Sequence, residues 1–147
     1  MAPTANKLVF QGGTCLAKVH ANFYRLSEDL DFVISMPTDA PRAKRSKQAA
    51  AVKDAVAALP KQIPFFRLVE PLTGANNSTQ YNAVIGYASL VSRQEETIKI
   101  QVALREPLLL DPLNDLAQTI LLDPVSRKPL LKPLTVRCIA KMEAFAE

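Results

Sequence analysis

"VFQGGTCLAKVHANFYRLSEDLDF", residues 9–32, decides how this sequence is read. The 147-residue chain has four glycines, Gly12, Gly13, Gly74 and Gly86, and two of them stand side by side here. They follow the apolar run KLVFQ (residues 7–11), and the acidic alternation Asp29-Leu30-Asp31 comes after a short gap. KLVFQ reads as a short strand stopped by the glycine pair. Residues 14–24 read as a helix, with Leu16, Val19 and Phe23 at helical spacing. DLDFVISM (residues 29–36) reads as a second strand, closed by Pro37.

Glycines directly after a strand let the backbone turn sharply and let a ligand approach without a Cβ in the way. A helix starting at Thr14 points free N–H groups and its positive dipole end at that turn, which suits phosphate. Thr14 either caps the helix or gives its hydroxyl to the same anion. On its own, GGT also describes a purely structural strand-to-helix turn. The acidic pair adds the other half. Residues two apart in a strand face the same way, so Asp29 and Asp31 project together while Leu30 and Phe32 face the core. Two carboxylates about 6–7 Å apart repel unless a cation sits between them, and hard oxygen ligands select Mg²⁺ or Mn²⁺. A solvent-facing edge strand is the competing account. A capping box is not, because Leu30 rather than an acid stands three residues after Ser27. A phosphate-holding turn and a metal-holding pair, joined by one short helix, are the minimal equipment for nucleotidyl transfer.

Composition bounds the rest. Hydrophobic residues make up 48% of the chain and charged residues 22%, which describes a globular protein of one domain, residues 1–147. The net charge of +4 favours an anionic partner without requiring one. No apolar stretch approaches the roughly 20 residues of a membrane span, and no signal region opens the chain. Cys15 and Cys138, far apart in sequence, form neither a disulfide framework nor a zinc motif. These features describe a reduced, cytoplasmic protein. His20 is the only histidine, so a Ser-His-Asp or Cys-His system would have to use it, with Cys15 or a serine as nucleophile. Neither a Walker loop nor GxGxxG can be written anywhere.

Residues 41–59 read as a helix ended by Pro60. Its basic first half (Arg42, Lys44, Arg45, Lys47) opposes the helix dipole, so it marks either an anion site or a solvated charged face. Residues 65–71 read as a strand and 74–80 as a polar turn. Residues 81–91 and 97–105 form a hairpin around SRQEE, in which Ile98, Ile100, Val102 and Leu104 alternate with Thr97, Lys99, Gln101 and Arg105. The proline-punctuated stretch 106–133 holds one short strand near 119–122. Residues 139–146 begin a helix whose apolar face (Ile139, Met142, Phe145, Ala146) packs on its own sheet or is covered by a second copy of the chain. The element order predicts an α/β (α+β) fold, a mixed sheet with helices packed on it.

"FQGGTCLAKV" followed by "YRLSEDLDF" strongly resembles the first motif of the AbiEii/AbiGii toxin family, within the DNA polymerase β-like nucleotidyltransferase superfamily. That motif is GG-[ST]-x-L-x-K, then R-x-S-x-D-x-D, and every element is present: Gly12, Gly13, Thr14, Leu16, Lys18, Arg25, Ser27, Asp29 and Asp31. The resemblance is tight over residues 7–36, looser over 97–107 and faint at the C-terminal helix. It implies a polymerase β-like core and a bacterial, cytoplasmic enzyme. Such an enzyme moves a nucleotide from an NTP (ATP or GTP among them) to a macromolecular acceptor. In that family the acceptors are RNA ends, notably tRNA, and protein hydroxyls. It further implies Mg²⁺ or Mn²⁺ on Asp29 and Asp31, and phosphate contacts from Gly12, Gly13, Thr14, Lys18, Arg25 and Ser27. The biological setting is a toxin–antitoxin or phage-defence system with a cognate antitoxin. Two departures stand out. A third carboxylate is expected from the neighbouring strand, where Lys99 and Gln101 stand instead. A later helical region with a further lysine and acidic motif is expected, and "IAKMEAFAE" resembles only its start, as in a truncated form. A core that binds nucleotide or a protein partner without turnover is therefore the alternative. A basic RNA-binding module resting on residues 42–47 is a third reading, and it lacks the exposed aromatics that single-strand binding uses.

Overall fold

In the computed structural model, which describes residues 7–22, 28–105 and 108–146, the alternation along 97–105 becomes a central strand of the sheet. The elements in order are β1 (Val9–Gln11), α1 (Gly12–Cys15) continuing as a π-helical turn (Leu16–His20), β2 (Leu30–Ser35), α2 (Arg42–Gln62), β3 (Phe66–Ala75), β4 (Gln80–Ala88), β5 (Glu95–Arg105), β6 (Leu113–Ala117), β7 (Leu134–Cys138) and α3 (Lys141–Ala146). The strands form one mixed seven-stranded sheet in the order β3-β4-β5-β2-β1-β7-β6. β2 runs antiparallel to β1 and parallel to β5, and β1 runs parallel to β7. The fold is α+β, a mixed sheet carrying three helices, as the sequence implied.

Each face of the sheet has its own core, and β2 serves both. Ile34 packs with Val52 and Val56 of α2 and with Tyr81, Ile85, Val102 and Leu104. Val33, its neighbour, faces the other way and packs with Phe10, Cys15, Cys138, Ile139 and Ala144. α2 reaches the first core through Arg45, Ala49, Val52 and Val56, a stripe at helical spacing.

Several expected boundaries move. The first two strands shorten to Val9–Gln11 and Leu30–Ser35, which leaves Asp29 just outside β2. The helix expected over 14–24 starts two residues earlier, at Gly12. It loosens into π geometry, with the Ala21 N–H reaching back to the Leu16 carbonyl at 2.8 Å, and stops at Asn22 with φ +46°. Phe23 and Tyr24 lie outside the described residues. Pro60 does not end α2. It removes only its own N–H, and the following turn continues through Ile63 N–H to Leu59 O at 2.8 Å. β3 runs past Pro71 to Ala75, because β3 is an edge strand. There a missing donor is tolerated, and the pairing with β4 shifts register around it.

The C-terminal third departs furthest. Near 119–122 there is only an isolated bridge, Leu122 to Pro129, while the strands of that region are β6 and β7. α3 buries Glu143 and Ala144, and Met142 and Phe145 are 77% and 58% exposed. Of the apolar face expected there, Ile139 is buried in the second core, while Met142, Phe145 and Ala146 are turned outwards. The reason is polar: the Glu143 carboxylate accepts the N–H groups of Leu109 and Leu110 at 2.9 and 3.2 Å. No helix among the described residues is long and apolar enough to cross a membrane.

Candidate functional site

The glycine pair and the acids meet through one contact. β1 ends extended at Gln11, and Gly12 turns the chain into α1 with φ +76°, a conformation open to glycine and strained for other residues. A Cβ at Gly12 would lie 2.6 Å from Asp31 Oδ2 and 2.9 Å from Asp31 Cβ. Gly12 is required twice, by its dihedral and by the room its hydrogen leaves. The close approach that a glycine permits is used here by the protein's own carboxylate, and the register of β1 against β2 sets Gln11 opposite Asp31.

Thr14 does not cap the helix. Gln11 holds the cap position and makes no side-chain bond there. Thr14 is buried in the first turn, and its hydroxyl donates to the Asp29 carbonyl oxygen. That bond ties α1 to the residue entering β2. Asp29 itself exposes its side chain, whereas Asp31 is half-buried. Asp31 lines a cleft of about 640 Å³ with Gln11, Gly12, Phe32, Thr79, Gln80, Gln101 and Ala103. Gly13 follows in the first turn of α1, and Lys18 sits half-buried on the π turn, where its carbonyl accepts the Gln118 N–H at 2.9 Å. Arg25 and Ser27 lie outside the described residues.

The neighbouring strand completes the cleft. β5 pairs with β2 so that Gln101 stands opposite Asp31. A carboxylate offers only acceptors and an ammonium only donors, which fixes the Gln101 amide between them. Its nitrogen donates to Asp31 Oδ1 at 3.0 Å and its oxygen accepts from Lys99 Nζ at 3.1 Å. A neutral amide backed by a lysine thus occupies the strand position where the family resemblance leads one to expect an acid. For Mg²⁺ or Mn²⁺, the two carboxylates of the motif are Asp31, which lines the cleft, and Asp29, which is exposed and not among the cleft's lining residues. They suit such an ion in kind and fall one short of three in number.

Sequence reasoning missed Thr79, Gln80 and Asn82, polar residues that the β3–β4 turn and β4 bring to or beside this cleft; Asn82 pairs with Gln101 across β4 and β5. NNSTQ signalled a turn, but only the sheet order shows where that turn lies. The basic start of α2 also resolves. Arg45 is buried, and its guanidinium donates to the carbonyl oxygens of Ala40 and Asn77, the latter at 2.9 Å. It therefore clamps α2 to the β3–β4 turn, while Arg42, Lys44 and Lys47 are exposed.

The family model described as the nucleotidyl transferase AbiEii toxin of type IV toxin–antitoxin systems matches residues 1–147. Similar solved structures include JHP933 from Helicobacter pylori, at 22% identity and a TM-score of 0.44, covering 73% of this chain and 40% of that one. Another, from H. pylori and described as a "putative nucleotidyltransferase", has 20% identity and a TM-score of 0.44, covering 73% and 41%. The chain spans about two fifths of the length of each. No curated protein matches.

Proposed function

The chain belongs to the AbiEii nucleotidyltransferase toxin family, and from that premise we propose that it moves a nucleotide from an NTP to a hydroxyl of a macromolecular acceptor. The acceptor is an RNA such as tRNA, or a protein, and the chain acts as a toxin held by a cognate antitoxin. The observation that carries this reading is the packing of Gly12 against Asp31. It puts a turn suited to phosphate and an acid suited to the phosphate's counter-ion in one cleft.

In the reaction, the acceptor oxygen bonds to the α-phosphorus, the bond to pyrophosphate breaks, and the hydroxyl proton leaves. Gly12, Gly13 and Thr14 offer backbone N–H groups at the start of α1 to the triphosphate. Lys18, Arg25 and Ser27 are the further phosphate contacts that the family motif supplies. Asp31, facing the cleft, stands where it can take the proton, and the Gln101 amide steadies its Oδ1. A divalent ion on Asp29 and Asp31, when bound, would neutralise the triphosphate.

The test is transfer of labelled NTPs to bulk tRNA and to the protein's own hydroxyls, with Mg²⁺ or Mn²⁺. Asp31→Asn should lower transfer at least 100-fold, the scale of losing a general base, with an unchanged circular dichroism spectrum. Transfer that survives Asp31→Asn sinks the reading. The second reading, a core that binds without turnover, draws on Gln101 in register with Asp31. It gains if NTP raises the melting temperature in an Asp31-dependent way and no acceptor is labelled.

A further inference from the structure

The chain has two cysteines and one histidine, and the fold gathers all three. Cys15 ends α1, His20 ends the π turn and Cys138 ends β7. Their ligand atoms lie within 4.8 Å of one another. Both thiols are fully buried and the imidazole half-buried. His20 Nε2 sits 2.9 Å from the Ile139 carbonyl oxygen. That oxygen can only accept, so Nε2 carries the proton and the ring's free lone pair is on Nδ1. An imidazole fixed through its second nitrogen to a carbonyl is the arrangement metal-ligating histidines adopt.

Buried thiols alone would be ordinary, since they behave as small hydrophobes. A ring nitrogen within 4.8 Å of both thiol sulfurs adds a third soft-metal donor that packing alone does not require. We propose that Cys15, His20 and Cys138 form a zinc site, a Cys₂His set separate from the oxygen-lined cleft at Asp31. No sequence motif announces it, because Cys138 arrives from the far end of the chain. Thiolate and imidazole ligands on one Zn²⁺ sit about 3.5–3.8 Å apart, given bonds of about 2.3 and 2.0 Å. The set therefore closes by movements of about 1 Å. The Leu113 carbonyl oxygen, 3.6 Å from Cys138 Sγ, stands beside it, and the fourth position falls to that oxygen or to water. An ion there clamps the π turn to β7 and, through Cys15, holds the helix whose first turn packs against Asp31.

The test uses the full chain, reduced and stripped of metal, titrated with Co²⁺ and then with Zn²⁺. One equivalent of Co²⁺ should give thiolate-to-cobalt charge-transfer absorption that Zn²⁺ abolishes, and Zn²⁺ should raise the melting temperature by several degrees. Asp31→Asn should leave all of this unchanged. His20→Ala, at a half-exposed position expected to fold, should weaken Zn²⁺ binding roughly tenfold or more, and Cys138→Ser should remove the charge-transfer band. Absence of that band in the folded, reduced protein overturns the site. So does zinc binding unaltered by His20→Ala, or binding that Asp31→Asn removes.

Discussion

On one side of β2 the strands β5, β4 and β3 run 11, 9 and 10 residues; on the other, β1, β7 and β6 run 3, 5 and 5. The long flank is held by apolar burial, with Tyr81, Ile85, Val102 and Leu104 almost wholly excluded from water and α2 packed over them. The short flank exposes Leu116, Leu130, Leu131 and Leu134. Its elements are tied by single polar bonds between distant residues: Glu143 to the Leu109 and Leu110 N–H groups, Gln118 N–H to Lys18 O, and His20 to Ile139 O. The long flank is stabilised chiefly by area, and the short flank adds these anchors to a smaller apolar core around Val9, Phe10, Cys138 and Ile139. Area is lost gradually and anchors are lost whole, so the flanks should answer mutation differently.

The largest effect belongs to the long flank. Ile85, 1% exposed on β4, should cost about 2–5 kcal/mol as Ile85→Ala, through lost burial and the cavity left behind. Leu134, 68% exposed on β7, should change stability by no more than about 0.5 kcal/mol as Leu134→Ala. Urea unfolding of both variants checks the pair. Equal losses would break the contrast.

Gly12 lies at the seam. Gly12→Ala must place a Cβ against Asp31 at φ +76°, and strain of this kind costs about 1–3 kcal/mol. Chemical denaturation measures the loss. The displacement of Asp31 should also weaken NTP binding, and a variant as stable as the parent would show that the Gly12–Asp31 contact relaxes freely.

On the short flank, Glu143→Ala leaves two backbone N–H groups without their acceptor, which costs about 1–3 kcal/mol, although the residue buries little apolar surface. Hydrogen exchange at Leu109 and Leu110 should rise sharply in this variant and stay unchanged in Ile85→Val. If Glu143→Ala is silent, the anchors do not hold the flank.

The same contrast decides what the sequence disclosed. Ile98 to Leu104 alternate strictly, so β5 and its facing followed from local period, whereas the place of Gln101 beside the acids came only from the family resemblance; the register sets it opposite Asp31. GGT and DLD were legible for the same reason, since each is a local pattern with a local consequence. Asp29 falls one residue outside β2 because the ladder with β5 begins at Leu30, opposite Ile100. Glu143 drew no reading from the sequence, because the N–H groups its carboxylate accepts, those of Leu109 and Leu110, lie on a loop distant in sequence. Cys15 and His20 were weighed together only as a Cys-His pair, and Cys138 read as unrelated to them until β7 was seen to lie beside β1. Contacts of long sequence separation carry no periodic signal, and the short flank consists mostly of these.

The smallest effect is a pH response in the loop between β6 and β7. The Ser126 N–H, the Ser126 hydroxyl and the Val125 N–H hold the Asp123 carboxyl below its ordinary pKa of 3.8. The turn closes through Asp123 N–H to Lys128 O at 2.8 Å and Arg127 N–H to Asp123 O at 2.9 Å. A carboxyl whose folded pKa is depressed contributes stability that is fully present above its unfolded value and is lost as pH falls through the folded one. Neutral solutions should therefore show the turn intact, and its ordering should decline only as pH drops below about 4. Because the bonds to Asp123 lie within its own surface turn, the effect belongs to the turn and not to global stability. Amide chemical shifts of Val125 and Ser126, followed by NMR between pH 6 and 2, should titrate together with a midpoint below 3.8. In Asp123→Asn the titration should vanish while the melting temperature at neutral pH barely moves. A midpoint at or above the ordinary aspartate value would mean that those donors do not hold the carboxylate, and the turn would lose the anchor assigned to it.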